Sequence, residues 1–135
     1  MDIATQIDVI LKLILAGFLG FVIAWDRKQY GKGAGMRTYG LISMGSCLFT
    51  ITSIYFMGTA DPSRIAANIV TGIGFIGAGI IWQKKDAIVG VTTAAGLWVA
   101  AAIGIAVAID MWVTAVAASL IVMGIFATRR IVPWA

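Results

Sequence analysis

The polar residues with the clearest capacity for chemistry in this sequence are an arginine, an asparagine and a threonine within an otherwise apolar segment. Arg64, Asn68 and Thr71 stand at positions i, i+4 and i+7, so in a helix they share one face. In lipid, such polar groups are functional candidates by default. Two interpretations stay open. Either Arg64 anchors its helix at the membrane surface, or the three residues line a polar pocket that suits an anion or a partner's carboxylate.

The rest of the sequence lacks the residue types that most catalytic and metal sites need. It contains no histidine and a single cysteine, Cys47, which excludes histidine bases, histidine metal ligands and Cys/His nucleophile pairs. Its acidic residues are all aspartates at the ends of apolar segments, whereas Mg²⁺ sites usually use one or two carboxylates. We therefore predict no catalytic residue, no metal site, no cofactor and no enzyme activity.

A second polar group stands between the first two apolar segments. Asp26 and Arg27 precede a glycine-rich stretch, and Arg37 and Thr38 follow it. The glycines let this connection fold back, so that Asp26 would pair with Arg37 and fix the first two helices. The alternative is a solvated basic loop that meets anionic lipid headgroups.

Two hydroxyl side chains, Thr92 and Thr93, stand at the start of the fourth apolar segment. One interpretation is that they cap free backbone N–H groups at the start of a helix or bond a neighbouring helix. The other is that this segment is unwound, in which case its free amides and hydroxyls form a small polar site facing the cytoplasm.

The elements that must position these residues are membrane helices. Hydrophobic residues make up 61% of the chain and charged residues 12%, with a mean hydropathy of +0.99, far from the mix of a soluble domain. Apolar runs close to twenty residues long suit transmembrane helices. The sequence predicts an all-α, polytopic membrane helix bundle that fills residues 1–135 as one domain, with helices at about 7–25, 39–57, 65–82, 91–109 and 111–128.

Glycines recur where these helices would have to pack closely. Glycine costs roughly 1 kcal/mol relative to alanine inside a soluble helix, but in a bilayer it lets helix backbones approach. The predicted helix-packing positions are Gly20, Gly72, Gly74, Gly77, Gly79, Gly96 and Gly104. Some of these contacts would join two copies of the chain in a homo-oligomer.

The basic residues indicate the orientation of the bundle. When successive connections are assigned to alternate sides, Lys12 and Arg64 fall on one side and the other eight of the ten Lys and Arg residues on the opposite side. By the positive-inside rule, the N-terminus lies outside and the C-terminus in the cytoplasm. Lys12 would stand one turn inside the first helix, where its long side chain reaches the interface. The basic residues are not concentrated on a surface outside the membrane helices, so no nucleic-acid partner is expected.

Taken together, these segments resemble the MgtC/SapB family of bacterial membrane proteins. The similarity covers nearly the whole chain. It rests on Gly17-Phe18-Leu19-Gly20 with Asp26-Arg27, on Gly35-Met36-Arg37-Thr38, on the run from Arg64-Ile65-Ala66-Ala67 to Gly77-Ala78-Gly79, and on Gly90-Val91-Thr92-Thr93. Many members continue into a soluble C-terminal domain, and we expect this chain to be a short form without it.

The resemblance implies a bacterial inner-membrane protein associated with growth in low magnesium and, in pathogens, with virulence. One member of the family looks like a regulator that restrains the F-type ATP synthase through membrane contacts. By motif matching, the carried-over functional candidates are Arg27, Arg37, Arg64, Thr71 and Thr92.

Two functional hypotheses follow. The first is a non-enzymatic integral membrane protein, linked to magnesium and energy homeostasis, that acts by contact with another membrane protein. The alternative is a small transporter or channel for Mg²⁺ or an anion, with a polar path around Arg64, Asn68 and Thr71.

Overall fold

The computed structural model describes residues 1–25, 34–56, 61, 63–85 and 87–128. Within these residues the chain forms five helices and one short β-hairpin. The elements are α1 (Ile3–Ile23), α2 (Met36–Phe56), α3 (Ser63–Ala78), β1 (Trp82–Lys84), β2 (Ala87–Val89), α4 (Val91–Ala108) and α5 (Trp112–Ala127). The predicted all-α bundle is confirmed, and the hairpin is an addition to it.

The sequence predicts that the first helix begins at about residue 7, but α1 begins at Ile3. The reason is Asp2, whose carboxylate accepts hydrogen bonds from the Thr5 hydroxyl and from the Thr5 backbone N–H at 3.2 Å, as a helix N-cap does. These bonds favour the ionised carboxylate and hold the pKa of Asp2 below its usual 3.8. Lys12 therefore stands about two and a half turns into the helix, not one turn.

α2 lies between α1 and α4 and packs on both. Tyr39, in the second turn of α2, is fully buried. Its hydroxyl donates a hydrogen bond to the Thr93 carbonyl oxygen of α4 at 3.0 Å. Its ring meets Phe126 of α5 edge to face, with ring centroids 6.4 Å apart. One aromatic side chain thus joins three helices, and around it the core is filled by Ala16, Ile23, Cys47, Leu97, Ile103, Val107 and Ala115.

α3 is the least embedded helix. Its buried residues are Ile73 and Gly77, and it packs mainly on α4. A Cβ at Gly77 would lie 3.4 Å from the Ala94 Cβ, an ordinary contact between the two helices. Most of the remaining surface of α3 is exposed, which makes this helix the one most open to other molecules.

The predicted third helix ends too late, because α3 stops at Ala78 and Trp82 lies in a strand. β1 pairs antiparallel with β2, with Trp82 opposite Val89 and Lys84 opposite Ala87. This pairing satisfies backbone groups that a longer helix would have bonded internally. Gly90 follows with φ +94, and a Cβ there would collide with the Ile80 carbonyl group, so this position accepts only glycine.

Two of the described helices, α1 and α4, are long and apolar enough to cross a membrane by length and composition. α3 and α5 are apolar but shorter, at 16 residues each. A helix of that length spans about 24 Å, less than the hydrocarbon core of about 30 Å. α2 has 21 residues but carries several hydroxyl side chains.

Candidate functional site

The structure does not gather Arg64, Asn68 and Thr71 into one polar pocket. All three are exposed on α3, and of the three only Asn68 lines the groove that separates α3 from α2. The Thr71 hydroxyl donates to the Ala67 carbonyl oxygen at 3.0 Å, a bond within its own helix. No ion pair joins Arg64 to an acidic residue in the described part of the chain.

The start of α3 fixes where Arg64 lies. The Asp61 carboxylate accepts a hydrogen bond from the Ser63 backbone N–H at 2.9 Å. Hydrogen bonds from the Ser63 hydroxyl and its backbone N–H lower the pKa of Asp61 below its usual 3.8. The Arg64 N–H donates to the Asp61 carbonyl oxygen at 3.2 Å. Arg64 therefore occupies the first turn of α3, at the end of the bundle where α2 finishes.

The groove between α2 and α3 has a volume of about 510 Å³. Apart from Ser46 and Asn68, its lining consists of apolar side chains and two glycines, Gly45 and Gly72. No heavy atom of a neighbouring residue lies within 4 Å of where a Cβ would stand at either glycine. The groove along α3 is thus open and mainly apolar, and Asn68 is the one amide side chain in its lining.

A second exposed surface of α3 faces away from the bundle. It consists of Ala67, Thr71, Gly74, Phe75 and Ala78, and we call it the outer face of α3. Phe75 is 85% exposed, and no atom of the described residues lies within 4 Å of a Cβ position at Gly74. Small residues around one exposed aromatic ring leave room for another helix to approach closely.

Three of the predicted packing glycines lie at helix crossings. A Cβ at Gly20 would lie 2.6 Å from both the Ser43 Cβ and the Tyr39 carbonyl oxygen, between α1 and α2. At Gly96 it would lie 2.6 Å from Phe126 Cζ, and at Gly104 2.9 Å from the Ser43 carbonyl carbon. Only glycine allows helices to approach this closely.

The other predicted glycines lie in different surroundings. Gly77 makes the ordinary contact with α4 described above. At Gly79 the nearest atom to a Cβ is the Ile76 carbonyl oxygen, 3.4 Å away in the preceding turn. Gly72 and Gly74 face open space within the described chain. The structure therefore places the close contacts in α1, α2 and α4 and leaves much of the glycine surface of α3 unpartnered by described residues.

Half of the predicted loop site lies outside the described residues, namely Asp26 and Arg27. Arg37 is exposed in the first turn of α2, and Thr38 beside it is partly buried. The proposed pair between Asp26 and Arg37 remains a prediction.

The start of α4 rules out one interpretation of Thr92 and Thr93. α4 is helical from Val91 onward, so the unwound alternative is wrong. The N-cap position is Gly90 rather than either threonine, and a bond from the threonine hydroxyls to free N–H groups or to a neighbouring helix remains a prediction. Thr92 is exposed, whereas Thr93 is buried and accepts the Tyr39 hydrogen bond through its carbonyl oxygen.

Sequence reasoning missed an ion cluster centred on Lys12. Its Nζ lies 3.1 Å from Asp8 Oδ2, one turn earlier in α1, and 2.8 Å from Asp110 Oδ1, in the turn between α4 and α5. The Lys12 side chain is only 17% exposed. The spacing of Asp8 and Lys12 at i and i+4 was visible in the sequence, but the contact with Asp110 requires the tertiary fold. The ion pair between Lys12 and Asp110 thus joins α1 to the C-terminal end of α4.

A row of buried hydroxyl residues along α2 was also missed. Ser43, Ser46, Thr50 and Ser53 are buried and recur at intervals of three and four, which is a helical period. Thr50 donates to the Ser46 carbonyl oxygen at 2.8 Å. The hydroxyls of Ser43 and Ser53 have no hydrogen-bond partner among the described residues. Because Ser43 lies against Gly20 and Gly104, small side-chain size is one reason for serine here.

These features define a bundle of apolar helices in which the core helices approach one another at glycines and the third helix is largely exposed. Among the described residues, no group of three or more His, Cys, Asp or Glu side chains comes together to hold a metal ion. The distinguishing surfaces are the groove, the outer face of α3 and the Lys12 ion cluster.

The chain belongs to the MgtC family, whose family model matches residues 13–133. It is 51% identical to YhiD of Escherichia coli K12, named as a candidate magnesium transporter, over 71% of this chain and 48% of that protein. It is 42% identical to Protein SapB of Bacillus subtilis strain 168, over 70% and 44%. It is 37% identical to Protein MgtC of Brucella abortus strain 2308, over 86% and 50%.

The chain spans about half the length of the curated relatives it matches. No solved structure matches it. The predicted membership of the MgtC/SapB family is confirmed, and none of these three relatives is named as an enzyme.

Proposed function

We propose that this chain is a non-enzymatic, multi-pass protein of the bacterial inner membrane that acts by contact with another membrane protein. The observation that carries this proposal is the outer face of α3, with its small residues and the exposed Phe75. In lipid, such a face associates with a partner helix through close van der Waals contact. The crossings at Gly20 and Gly104 are already occupied by α2, whereas the outer face of α3 is exposed.

The proposed orientation keeps the N-terminus outside and the C-terminus in the cytoplasm. The distribution of Lys and Arg supports it. So does the Lys12 ion cluster, because its two carboxylates neutralise one of the two cations assigned to the outer side. Exposed Trp82 near one end and exposed Tyr55 and Trp112 near the other suit the two interfaces of a bilayer.

The biological setting that we propose is magnesium and energy homeostasis. The name of YhiD supports a link to magnesium. The resemblance to the MgtC/SapB family suggests the F-type ATP synthase as partner and a virulence role in pathogens. The small-residue surfaces of the helices suggest a second copy of the chain as a further partner.

Site-specific photo-crosslinking in native membranes tests the contact. A photoreactive phenylalanine analogue at Phe75 should crosslink to one membrane protein, whereas the same analogue at Leu120, exposed on α5, should not. Gly74→Leu should abolish that crosslink and impair growth in low magnesium, while Gly124→Leu, also in open space, should do neither. A Gly74→Leu chain that is normally expressed and supports normal growth would contradict the proposal.

The second candidate function is transport. The name of YhiD favours it, as do the buried hydroxyls of Ser43 and Ser53, which have no hydrogen-bond partner among the described residues. Purified chain in liposomes, one set loaded with a magnesium-sensitive dye and a second set with an anion-sensitive dye, distinguishes the two functions. Flux of Mg²⁺ or of an anion that depends on this chain would replace the contact hypothesis with transport.

A further inference from the structure

We propose that the groove between α2 and α3 holds an acyl chain of an anionic phospholipid whose phosphate binds Arg64. This inference concerns a lipid site. It does not depend on the protein contact proposed for the outer face of α3, because the groove and that face share no residue.

The dimensions and lining of the groove suit an acyl chain. Its lining on α3 runs from Ile65 to Ile76, which corresponds to about 17 Å of helix. That length is roughly half of a hydrocarbon core about 30 Å thick, the depth of one leaflet. The open positions at Gly45 and Gly72 give the groove its width, and its apolar lining excludes a polar occupant.

The charge at one end of the groove selects the headgroup. Arg64 immediately precedes the groove residue Ile65 and lies one turn before Asn68 on the same helix face. Helical side chains lean toward the N-terminus of their helix, so the guanidinium extends beyond the groove toward the membrane surface. Exposed Tyr55, in the last turn of α2, suits the headgroup level at this end.

Arg64 is available to bind a phosphate. Among the described residues, no ion pair joins Arg64 to a carboxylate. Lys12, at the same end of the bundle, is by contrast paired with Asp8 and Asp110. A guanidinium binds phosphate oxygens through two parallel hydrogen bonds. An unneutralised cation favours a headgroup with net negative charge. Asn68, inside the groove, is placed to donate to an ester carbonyl oxygen below the phosphate.

Native mass spectrometry of the full chain in detergent, titrated with phosphatidylglycerol and with phosphatidylcholine, tests the site. The unmodified chain should retain one phosphatidylglycerol in preference to phosphatidylcholine. Arg64→Gln should weaken phosphatidylglycerol binding by about tenfold, the loss expected for one charged hydrogen-bonding partner, and should remove the preference. Gly72→Leu, which fills the groove, should reduce binding of both lipids.

Two matched controls accompany these variants. Gly74→Leu places the same side chain two residues away, in open space outside the groove, and should bind lipid like the unmodified chain. Lys84→Gln removes an exposed cation beyond the opposite end of α3 and should also bind normally. If circular dichroism shows that Gly72→Leu loses helix, Gly45→Leu fills the same groove from α2. Equal binding of both lipids by the unmodified chain, normal binding by Arg64→Gln, or loss with Lys84→Gln instead would each overturn the proposal.

Discussion

Replacing Gly104 by alanine should force α2 and α4 apart. The added Cβ would lie 2.9 Å from the Ser43 carbonyl carbon and 3.0 Å from the Ser46 Cβ, and still closer to the Ser43 carbonyl oxygen. Ordinary contact begins at 3.4 Å, and the carbonyl oxygen is the closest of these atoms, so the helices must separate by on the order of 1 Å. The main obstacle is backbone, which cannot rotate away as a side-chain tip can. The strain therefore falls on the whole interface between the two helices.

Gly124→Ala is the matched control, because nothing lies within 4 Å of its Cβ position on α5. Both substitutions gain the same helix propensity, about 1 kcal/mol. The difference between them therefore isolates the steric cost, for which overpacking in a closely packed core gives about 1–3 kcal/mol. Gly104→Ala should be the less stable variant by that amount.

The assay is reversible unfolding of the purified chain in mixed micelles, with helix content followed by circular dichroism as the denaturing detergent increases. The free energies of unfolding of the two variants are compared under identical conditions. If Gly104→Ala is as stable as Gly124→Ala, the close approach of α2 to α4 at Gly104 does not exist in the protein.

Three further predictions use the same preparation. Tyr39→Phe removes the buried hydrogen bond to Thr93 and should cost about 1 kcal/mol of unfolding free energy; a change within error would show that the bond contributes nothing. A double-mutant cycle of Lys12→Gln and Asp110→Asn should give a coupling of about 0.5–1 kcal/mol, and additive effects would contradict the ion pair. Because hydrogen bonds hold the pKa of Asp2 below 3.8, its stabilisation of α1 is complete above that pH and is lost as pH falls through the lowered pKa. The protection of the first-turn amides against hydrogen exchange, relative to the intrinsic exchange rate at each pH, should fall there, and Asp2→Ala should remove this change in protection.

The existence of the helices could be predicted because apolar runs and small-residue spacing are local in the sequence. Their ends were less predictable. α1 begins early because Asp2 caps it, and an aspartate just before an apolar run is a capping signal that the sequence contains. The end of α3 was extended to Trp82 because Ile80 and Ile81 continue the apolar run. Trp82, Ile88 and Val89 have high β propensity, but the sequence Lys85-Asp86 is not one of those typical of two-residue hairpin turns, so the local signal for the hairpin was weak.

The contacts of the candidate site residues were harder to predict from the sequence than the helices were. Periodicity placed Arg64, Asn68 and Thr71 on one helix, but which neighbour each residue meets depends on how α3 packs, and that information is not local. The contact between Lys12 and Asp110 joins residues nearly a hundred positions apart, so no spacing rule reveals it. By contrast, Gly20, Gly96 and Gly104 were predictable as contact positions because a small-residue stripe has few other uses in a membrane helix.

The hairpin between α3 and α4 has a mechanical consequence. Its strand pairs, together with the tight approach of Gly90 to Ile80, clamp the end of α3 to the start of α4. Any tilt of α3 must then pivot about that clamp. Over a helix of 16 residues, a rotation of about 10° displaces the opposite end by roughly 4 Å. Because the hairpin fixes one end of α3, such a tilt would widen or narrow the groove between α2 and α3 at the other end.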